Sequence, residues 1–167
     1  MYKKRPMLSL LDTYFREKNR YGFEHSWTIH ASPDRVWNEL SRFQDWPGWW
    51  EGLETIQFLE SPPGLGRGTR IRSTWKGSLP YRLTFDTHIR NFVPANSLSF
   101  WVGGDLAGFG RCRFLADDQG TRVNFSWQVS PTKLWFKMSA PFARPLFKEN
   151  HDQIMAQAEK GLQRIFS

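Results

Sequence analysis

Two stretches of the chain alternate between apolar and polar residues, a pattern typical of β-strands with one covered face. In residues 81–90 and 122–129, apolar side chains occupy nearly every second position, with polar or charged side chains between them. Further apolar runs are bounded by turn-forming sequences, including KGS, VPAN, DDQG and the glycine-rich GGDLAGFG. The pattern predicts seven antiparallel strands, at residues 23–30, 52–60, 69–75, 79–92, 96–102, 111–117 and 121–129.

After the first strand, the sequence predicts two short helical elements. Ser32 is suited to cap a helix, and Pro33 to occupy its first position, where a proline loses no intrahelical hydrogen bond. Pro47 and Gly48 interrupt the helical pattern. The sequence DWPGWW around them is therefore expected to form a second short helix or a tight turn.

The C-terminal part of the chain has helical periodicity instead. From Pro145 to Phe166, apolar residues recur every three or four positions, which predicts a long helix with one apolar face. Pro141 and Pro145 are expected to kink or break the segment before it. A long helix on the concave face of a strongly curved antiparallel sheet gives an α+β fold, with bulky side chains filling or lining the space between the layers.

The composition agrees with one domain. At 167 residues, the chain is long enough to bury about 70% of the surface that it exposes when unfolded. Aromatic residues make up 16% of the sequence, an excess that must be buried or must line a site. The single cysteine, Cys112, excludes an internal disulfide and favours a reducing, cytoplasmic location. The histidines lack metal-ligand spacing, so neither a metal nor another cofactor is expected.

Residues 1–20 are predicted to form a basic amphipathic segment ahead of a single domain at residues 21–167. The segment has six basic and two acidic side chains, in a chain of net charge +7, and its apolar residues recur at helical spacing. Two interpretations stay open. The segment is either a helix packed on the domain with a solvated charged face, or one that docks on an anionic surface such as a membrane or RNA.

Five short motifs follow one another in the sequence: WTIHASPDRVW, DWPGWW, GLGRGTR, GDLAGFGR and, in the last helix, NHDQIMAQAEKGL. These motifs and the order of elements resemble the SRPBCC superfamily, the START-like helix-grip proteins that include polyketide cyclase/dehydrase-like proteins and lipid-transfer domains. The resemblance covers residues 21–167 and implies a seven-stranded curved sheet wrapped around the C-terminal helix, with an apolar ligand cavity between them. Because the superfamily includes carriers, cyclases, hydrolases and ribosome-associated proteins, it implies the fold more specifically than an activity.

The alternation along the predicted strands gives the side chains that face the helix. In an average domain such residues are core, whereas the resemblance implies that they line a cavity. Trp46, which precedes the proline of DWPGWW, is expected to be a structural plug at one end of this space. The candidate ligand-binding residues are Trp49, Trp50, Trp75, Tyr81, Phe85, Cys112, Phe114, Trp127, His151 and Met155.

Few of these inward positions are polar. His151 and Tyr81 are candidates for proton transfer or for orienting a ligand, because a polar group in an apolar cavity needs a partner. For His151, the alternative is a core histidine with satisfied hydrogen bonds. Asp105 is expected to accept backbone hydrogen bonds in its turn. Nothing in the pattern around Cys112 would lower the pKa of its thiol, so a nucleophilic role is not expected.

Seven arginines are predicted on the outer face of the sheet. This placement argues against a cyclase that uses arginines in its cavity, as cyclases of the superfamily are thought to do. The face is either simply solvated or a basic surface that attracts phosphates of RNA, the ribosome or an anionic membrane. No aromatic residue is expected to interleave with the arginines, which argues against base stacking. The arginines are Arg70, Arg72, Arg82, Arg90, Arg111, Arg113 and Arg122.

The sequence therefore predicts binding, transport or conversion of a small hydrophobic molecule, such as a lipid, polyketide or aromatic metabolite, between sheet and helix. The alternatives are a polyketide cyclase-like enzyme and a module that associates through its basic surface with RNA, the ribosome or an anionic membrane. The GLGRG sequence precedes a strand instead of a helix, so it predicts a hairpin turn and no nucleotide site.

Overall fold

A computed structural model describes residues 20–60 and 65–167 of the chain, the side chains of residues 134–143 excepted. The predicted basic segment lies outside the described residues, apart from Arg20. The described elements are β1 (Tyr21–Ile29), α1 (Pro33–Leu40), a 3₁₀ helix (Phe43–Gly48), β2 (Leu53–Glu60), β3 (Arg70–Trp75), β4 (Leu83–Val93), β5 (Ser97–Gly104), β6 (Leu106–Asp117), β7 (Gly120–Pro131) and α2 (Leu134–Phe166).

All seven strands form one antiparallel sheet, in the order β1-β7-β6-β5-β4-β3-β2. Each strand from β2 to β7 lies beside the next in sequence, whereas β1 pairs with β7 along its whole length, from Tyr21 opposite Val129 to Ile29 opposite Thr121. Because β1 and β2 are the two edges of the sheet, α1 and the 3₁₀ helix cross from one edge to the other. This arrangement confirms the predicted helix-grip α+β fold with two short helices after the first strand.

The glycine-rich run GGDLAGFG is not a loop, in contrast to the prediction, because Asp105 alone separates β5 from β6. Its last two glycines, Gly108 and Gly110, allow close packing inside β6. A Cβ atom at Gly108 would lie 2.0 Å from the backbone oxygen of Gln128, and one at Gly110 would lie 2.4 Å from the Phe100 ring. A glycine pattern that reads as a turn can therefore mark a close approach within a sheet.

Two further boundaries differ from the sequence prediction. β4 begins at Leu83, because the residues before it form a loop in which the N–H of Leu79 donates to Asn150 Oδ1 on α2, at 3.4 Å. The predicted GLGRG turn lies partly outside the described residues. Gly68, its last residue, has a φ of 97°, which favours glycine and agrees with a turn.

The C-terminal helix is longer than predicted. α2 begins at Leu134 and runs through Pro141 and Pro145, so the predicted break at these prolines is wrong. Each proline removes one backbone donor, and the remaining hydrogen bonds of the ladder continue the helix. Beyond the prolines, buried residues such as Met155 and Leu162 recur along one side of α2 and pack on the inner face of the sheet.

Candidate ligand-binding cavity

A cavity of about 170 Å³ lies between the inner face of the sheet and α2. All seven strands, α1, the 3₁₀ helix and α2 contribute to its wall, and most of the wall is apolar. Alternation places these side chains inward, since every second residue of a strand faces the helix. The aromatic residues of the wall are Tyr21, Phe23, Phe43, Trp46, Trp50, Trp75, Phe85, Phe100, Phe114, Phe125, Trp127 and Phe147.

Most of the sequence-predicted site residues lie on this wall, and two do not. The exceptions are Trp49, which contacts α2 next to Gly161, and Tyr81, which packs against buried core residues but does not line the cavity. Contact with a ligand stays a prediction for all ten residues. Those on the wall are Trp50, Trp75, Phe85, Cys112, Phe114, Trp127, His151 and Met155.

The DWPGWW sequence contributes to the wall differently from the expectation. Trp46, expected as a plug, lines the cavity and donates from its Nε1 to the backbone oxygen of Leu40, at 3.2 Å. Trp50 also lines it, and its Nε1 donates to the oxygen of Ile154 on α2, at 3.0 Å. Trp49 stacks on Trp50 behind the wall. Strand alternation does not extend into a 3₁₀ helix, so it gave no direction for these side chains.

Three side chains on the wall carry a buried polar atom without a hydrogen-bond partner. They are the Tyr21 hydroxyl, Trp127 Nε1 and His151 Nδ1. The His151 ring stacks on Phe23 at a centroid distance of 4.0 Å, and lies 5.8 Å from the Trp127 ring. Tyr21 stacks on the same phenylalanine at 6.2 Å. The three unpartnered groups therefore cluster around Phe23, on one side of the cavity.

The cavity wall has no fixed charge. Of the described residues that form it, none is aspartate, glutamate, lysine or arginine. Burial lowers the pKa of His151 to about 4, and outweighs the opposite influence of Asp152, whose Oδ1 lies 3.6 Å from Nδ1 and beyond hydrogen-bond distance. His151 is therefore neutral near pH 7, and both interpretations of its role, as a group that contacts a ligand and as a core histidine, stay predictions.

The other polar candidates are protonated or structural. Burial raises the pKa of Tyr81 to about 12, and it raises the pKa of the Cys112 thiol well above its ordinary value. Asp105 has a structural role, as expected, since Oδ2 accepts the N–H of Thr84 at 3.0 Å and Oδ1 pairs with Lys133 at 2.9 Å. No group of acidic, histidine or cysteine side chains suited to a metal ion occurs in the described parts of the chain.

The comparison with known families decides the assignment of this fold. Residues 21–163 match the sequence model of the family described as "Polyketide cyclase / dehydrase and lipid transport". The chain belongs to this family. The match covers most of the chain and confirms the resemblance to the SRPBCC superfamily, whereas no curated protein matches the chain in sequence.

Several solved structures share the helix-grip architecture. Zhui aromatase/cyclase from Streptomyces sp. R1128 is 14% identical, with a TM-score of 0.71 over 86% of this chain and 92% of its own. TTHA0849 from Thermus thermophilus is 18% identical, with a TM-score of 0.69 over 89% and 99%. Ara h 8.0201 is 15% identical, with a TM-score of 0.60 over 86% and 97%. At these identities, the likeness shows the fold alone.

Outside the cavity of this family member, six of the seven arginines lie on strands of the sheet and point outward, as predicted, and Arg82 lies in the loop before β4. Four of the seven are in ion pairs, which lowers the basic character of the face. Arg72 binds Asp86 through two hydrogen bonds, of 2.7 and 2.9 Å. Arg82 binds Glu54, with its Nε 2.6 Å from Oε2. Arg70 and Arg122 also pair with acidic neighbours.

The expectation that no aromatic residue lies among these arginines is wrong. Trp101 and Phe109 face each other across β5 and β6 on the outer face, and they are 60% and 46% exposed. The sequence SLSFWV has two adjacent aromatic residues, of which Phe100 faces the cavity and Trp101 the solvent.

No helix in the described parts of the chain meets the length and hydropathy of a membrane span.

Proposed function

We propose that the chain binds a small hydrophobic molecule in the cavity between the sheet and α2. The observation that carries this proposal is the apolar wall, to which every strand and α2 contribute. A concave, mostly apolar cavity with a few polar groups is the usual form of a small-molecule site. The family description names both polyketide cyclase/dehydrase and lipid transport.

The volume of the cavity limits the size of the ligand. A dry apolar cavity of about 150 Å³ binds benzene, and the cavity here is about 170 Å³. One or two rings, or a short chain, fit this volume without movement of the wall. Among the ligands expected from the sequence, a small aromatic metabolite is thus favoured over a diacyl lipid or a four-ring polyketide.

The site favours binding over proton-transfer chemistry. Its wall has no described carboxylate, His151 is neutral and weakly basic, and the thiol of Cys112 stays protonated. The cyclase-like alternative therefore depends on His151, because Tyr81 lies off the wall. If a substrate is turned over, we expect the rate to fall in His151→Ala and to stay unchanged in Tyr81→Phe.

Two neighbouring residues of β6 give a matched test of cavity binding. Cys112→Leu adds volume inside the cavity, whereas Arg113→Leu places the same side chain on the outer face. Naphthalene binding, measured by native mass spectrometry and by quenching of tryptophan fluorescence, is expected to weaken about tenfold or more in the first variant only. Equal binding by both variants, or no binding of naphthalene by the unmodified protein, would overturn the proposal.

The outer face supports a second candidate function, association with single-stranded RNA. Exposed aromatic rings beside arginines form the stacking and phosphate contacts that such binding uses. Trp101 and Phe109 supply the rings, and Arg90, Arg111 and Arg113 have no ion-pair partner among the described residues.

Salt dependence and one substitution test this second candidate. Oligouridylate binding is expected to weaken at least tenfold between 50 and 200 mM salt, as phosphate contacts do, and to weaken about tenfold in Trp101→Ala. The control is Trp75→Phe, which changes the cavity wall and leaves the outer face intact. Binding to anionic vesicles but not to the oligonucleotide, or binding unaffected by Trp101→Ala, would contradict the candidate.

A further inference from the structure

Three buried polar atoms of the cavity wall have no hydrogen-bond partner among the described residues. A buried polar atom without a partner is rare in folded proteins, and it points to a group that completes its hydrogen bond. Trp127 Nε1 can only donate a hydrogen bond, while the Tyr21 hydroxyl and the neutral His151 imidazole can donate or accept. All three belong to side chains of the cavity wall.

Three different elements bring these groups together. Phe23 on β1 lies opposite Trp127 on β7, which fixes the indole beside it. His151 reaches the same phenylalanine from α2 and stacks on it. Tyr21 precedes it by two residues on β1, so it faces the same side of the sheet. The rest of the wall, around Trp50, Trp75 and Phe85, is mostly apolar. The indole N–H groups of Trp50 and Trp75 already donate, to the backbone oxygen of Ile154 and to Ser73 Oγ.

The polar side of the cavity has no charged side chain on the described part of its wall. Arg144 lies over the Tyr21 ring, 5.5 Å from its centroid, but it is exposed and donates to the backbone oxygen of Arg20. His151 is neutral near pH 7, and none of the other described wall residues is acidic or carries a lysine or arginine side chain. Asp152 and Lys148 lie next to His151 on the outer side of α2, where they pair with each other. A carboxylate or ammonium inside the cavity would lose its hydration without a counter-ion.

Building on the proposed function, we infer that the ligand is an uncharged molecule of one or two rings with a hydrogen-bonding oxygen. The oxygen accepts a hydrogen bond from Trp127 Nε1, and His151 or Tyr21 completes its coordination. The ring occupies the apolar part of the cavity. The expected ligand is thus a small aromatic or alicyclic ketone or alcohol. Ionised carboxylic acids are excluded from this class.

Three probes of nearly the same shape separate the parts of this inference. Acetophenone has the ring and a neutral oxygen, α-methylstyrene has a methylene group in place of that oxygen, and benzoate is charged. Binding to the unmodified full chain at pH 7 is measured by ligand-observed NMR and calorimetry. Acetophenone is expected to bind about tenfold tighter than α-methylstyrene, and benzoate at least tenfold weaker than either.

Two tryptophan substitutions assign the hydrogen bond. Trp127→Phe removes an unpartnered donor, so the preference for acetophenone over α-methylstyrene is expected to fall to about twofold or less. Trp75→Phe is the matched control, because Trp75 also lines the cavity but already donates from Nε1 to Ser73 Oγ, at 2.9 Å. The control is expected to retain the tenfold preference, even where both affinities change.

The outcomes distinguish this inference from the proposed function. If α-methylstyrene binds as tightly as acetophenone, or benzoate as tightly as both, the inference is overturned and apolar binding stands. These comparisons use the unmodified protein and stay decisive even where Trp127→Phe does not fold. If none of the probes nor naphthalene binds, both the inference and the proposed function are wrong.

Discussion

The imidazole ring of His151 lies nearly parallel to the phenyl ring of Phe23, with centroids 4.0 Å apart and an interplanar angle of 14°. The contact joins α2 to β1, and it is made by a histidine that burial keeps neutral. Charging this ring requires a proton inside an apolar cavity. The stability of the protein is therefore coupled to pH through one stacked pair.

We expect acid to destabilise the folded protein through His151. The unfolded chain binds the proton near the ordinary pKa of 6.5, whereas the folded protein resists it until about pH 4. The stabilisation is fully present above pH 6.5 and is lost as the pH falls towards 4. In urea unfolding at pH 7 and pH 4.5, wild type is expected to lose about 2 kcal/mol relative to His151→Phe, which retains the stack without titrating. An unchanged difference between the two proteins would contradict this.

A second prediction concerns Gly161 on α2. Alanine in place of glycine normally stabilises a helix by about 1 kcal/mol. At Gly161, however, the added Cβ would lie 2.4 Å from the backbone oxygen of Trp49. Gly161→Ala is thus expected to destabilise the protein by about 1–3 kcal/mol in urea unfolding.

The neighbouring exposed residue provides the control for this substitution. Lys160→Ala introduces the same side chain one position earlier, away from the tryptophan. It is expected to change the free energy of unfolding by less than about 0.5 kcal/mol. A stabilised Gly161→Ala variant would show that the backbone at Trp49 moves to accommodate the added Cβ, and would contradict the prediction.

The sequence was sufficient to predict the architecture because each element has a local signal. Period-two alternation marks the strands, Ser32 and Pro33 mark the start of α1, and the apolar stripe marks α2. These signals depend on neighbours in sequence. The break predicted at the prolines of α2 was wrong for the same reason, because a rule based on local sequence takes no account of the packing that holds the helix on the sheet.

The residues of the candidate site could be predicted only on the strands, where alternation gives the direction of each side chain. Alternation placed Trp75, Phe85 and Trp127 inward, and the structure has them on the wall. It gave no direction for Trp46 in the 3₁₀ helix or for Trp49 directly after it, and it did not extend to Tyr81, which precedes β4. The unpartnered polar atoms of Tyr21, Trp127 and His151 lie on β1, β7 and α2, three elements that are distant in sequence. A local sequence pattern does not predict such a cluster.

A third prediction tests the polar part of the wall near Trp75. Ser73 is buried, and its Oγ accepts the indole N–H of Trp75 at 2.9 Å. Ser73→Ala removes that acceptor and leaves the indole N–H of the half-buried Trp75 unpaired, at a cost of about 1–3 kcal/mol in the free energy of unfolding. Ser126→Ala, on the outer face of β7, is expected to change it by less than about 0.5 kcal/mol. Equal effects of the two substitutions would show that the hydrogen bond does not contribute.

The last prediction concerns the reactivity of Cys112, the single cysteine of the chain. Its side chain is 1% exposed, and burial raises the pKa of the thiol well above its ordinary value. Because the thiolate is the reactive form, the folded protein is expected to react with a disulfide reagent at least a hundredfold more slowly than the urea-unfolded chain at pH 8. Absorbance of the released thiol measures the rate, and one equivalent per chain is expected after unfolding. Since Cys112 lines the cavity, bound naphthalene is expected to slow the reaction of the folded protein further. Rapid reaction of the folded protein would contradict the prediction and would show that the thiol is accessible.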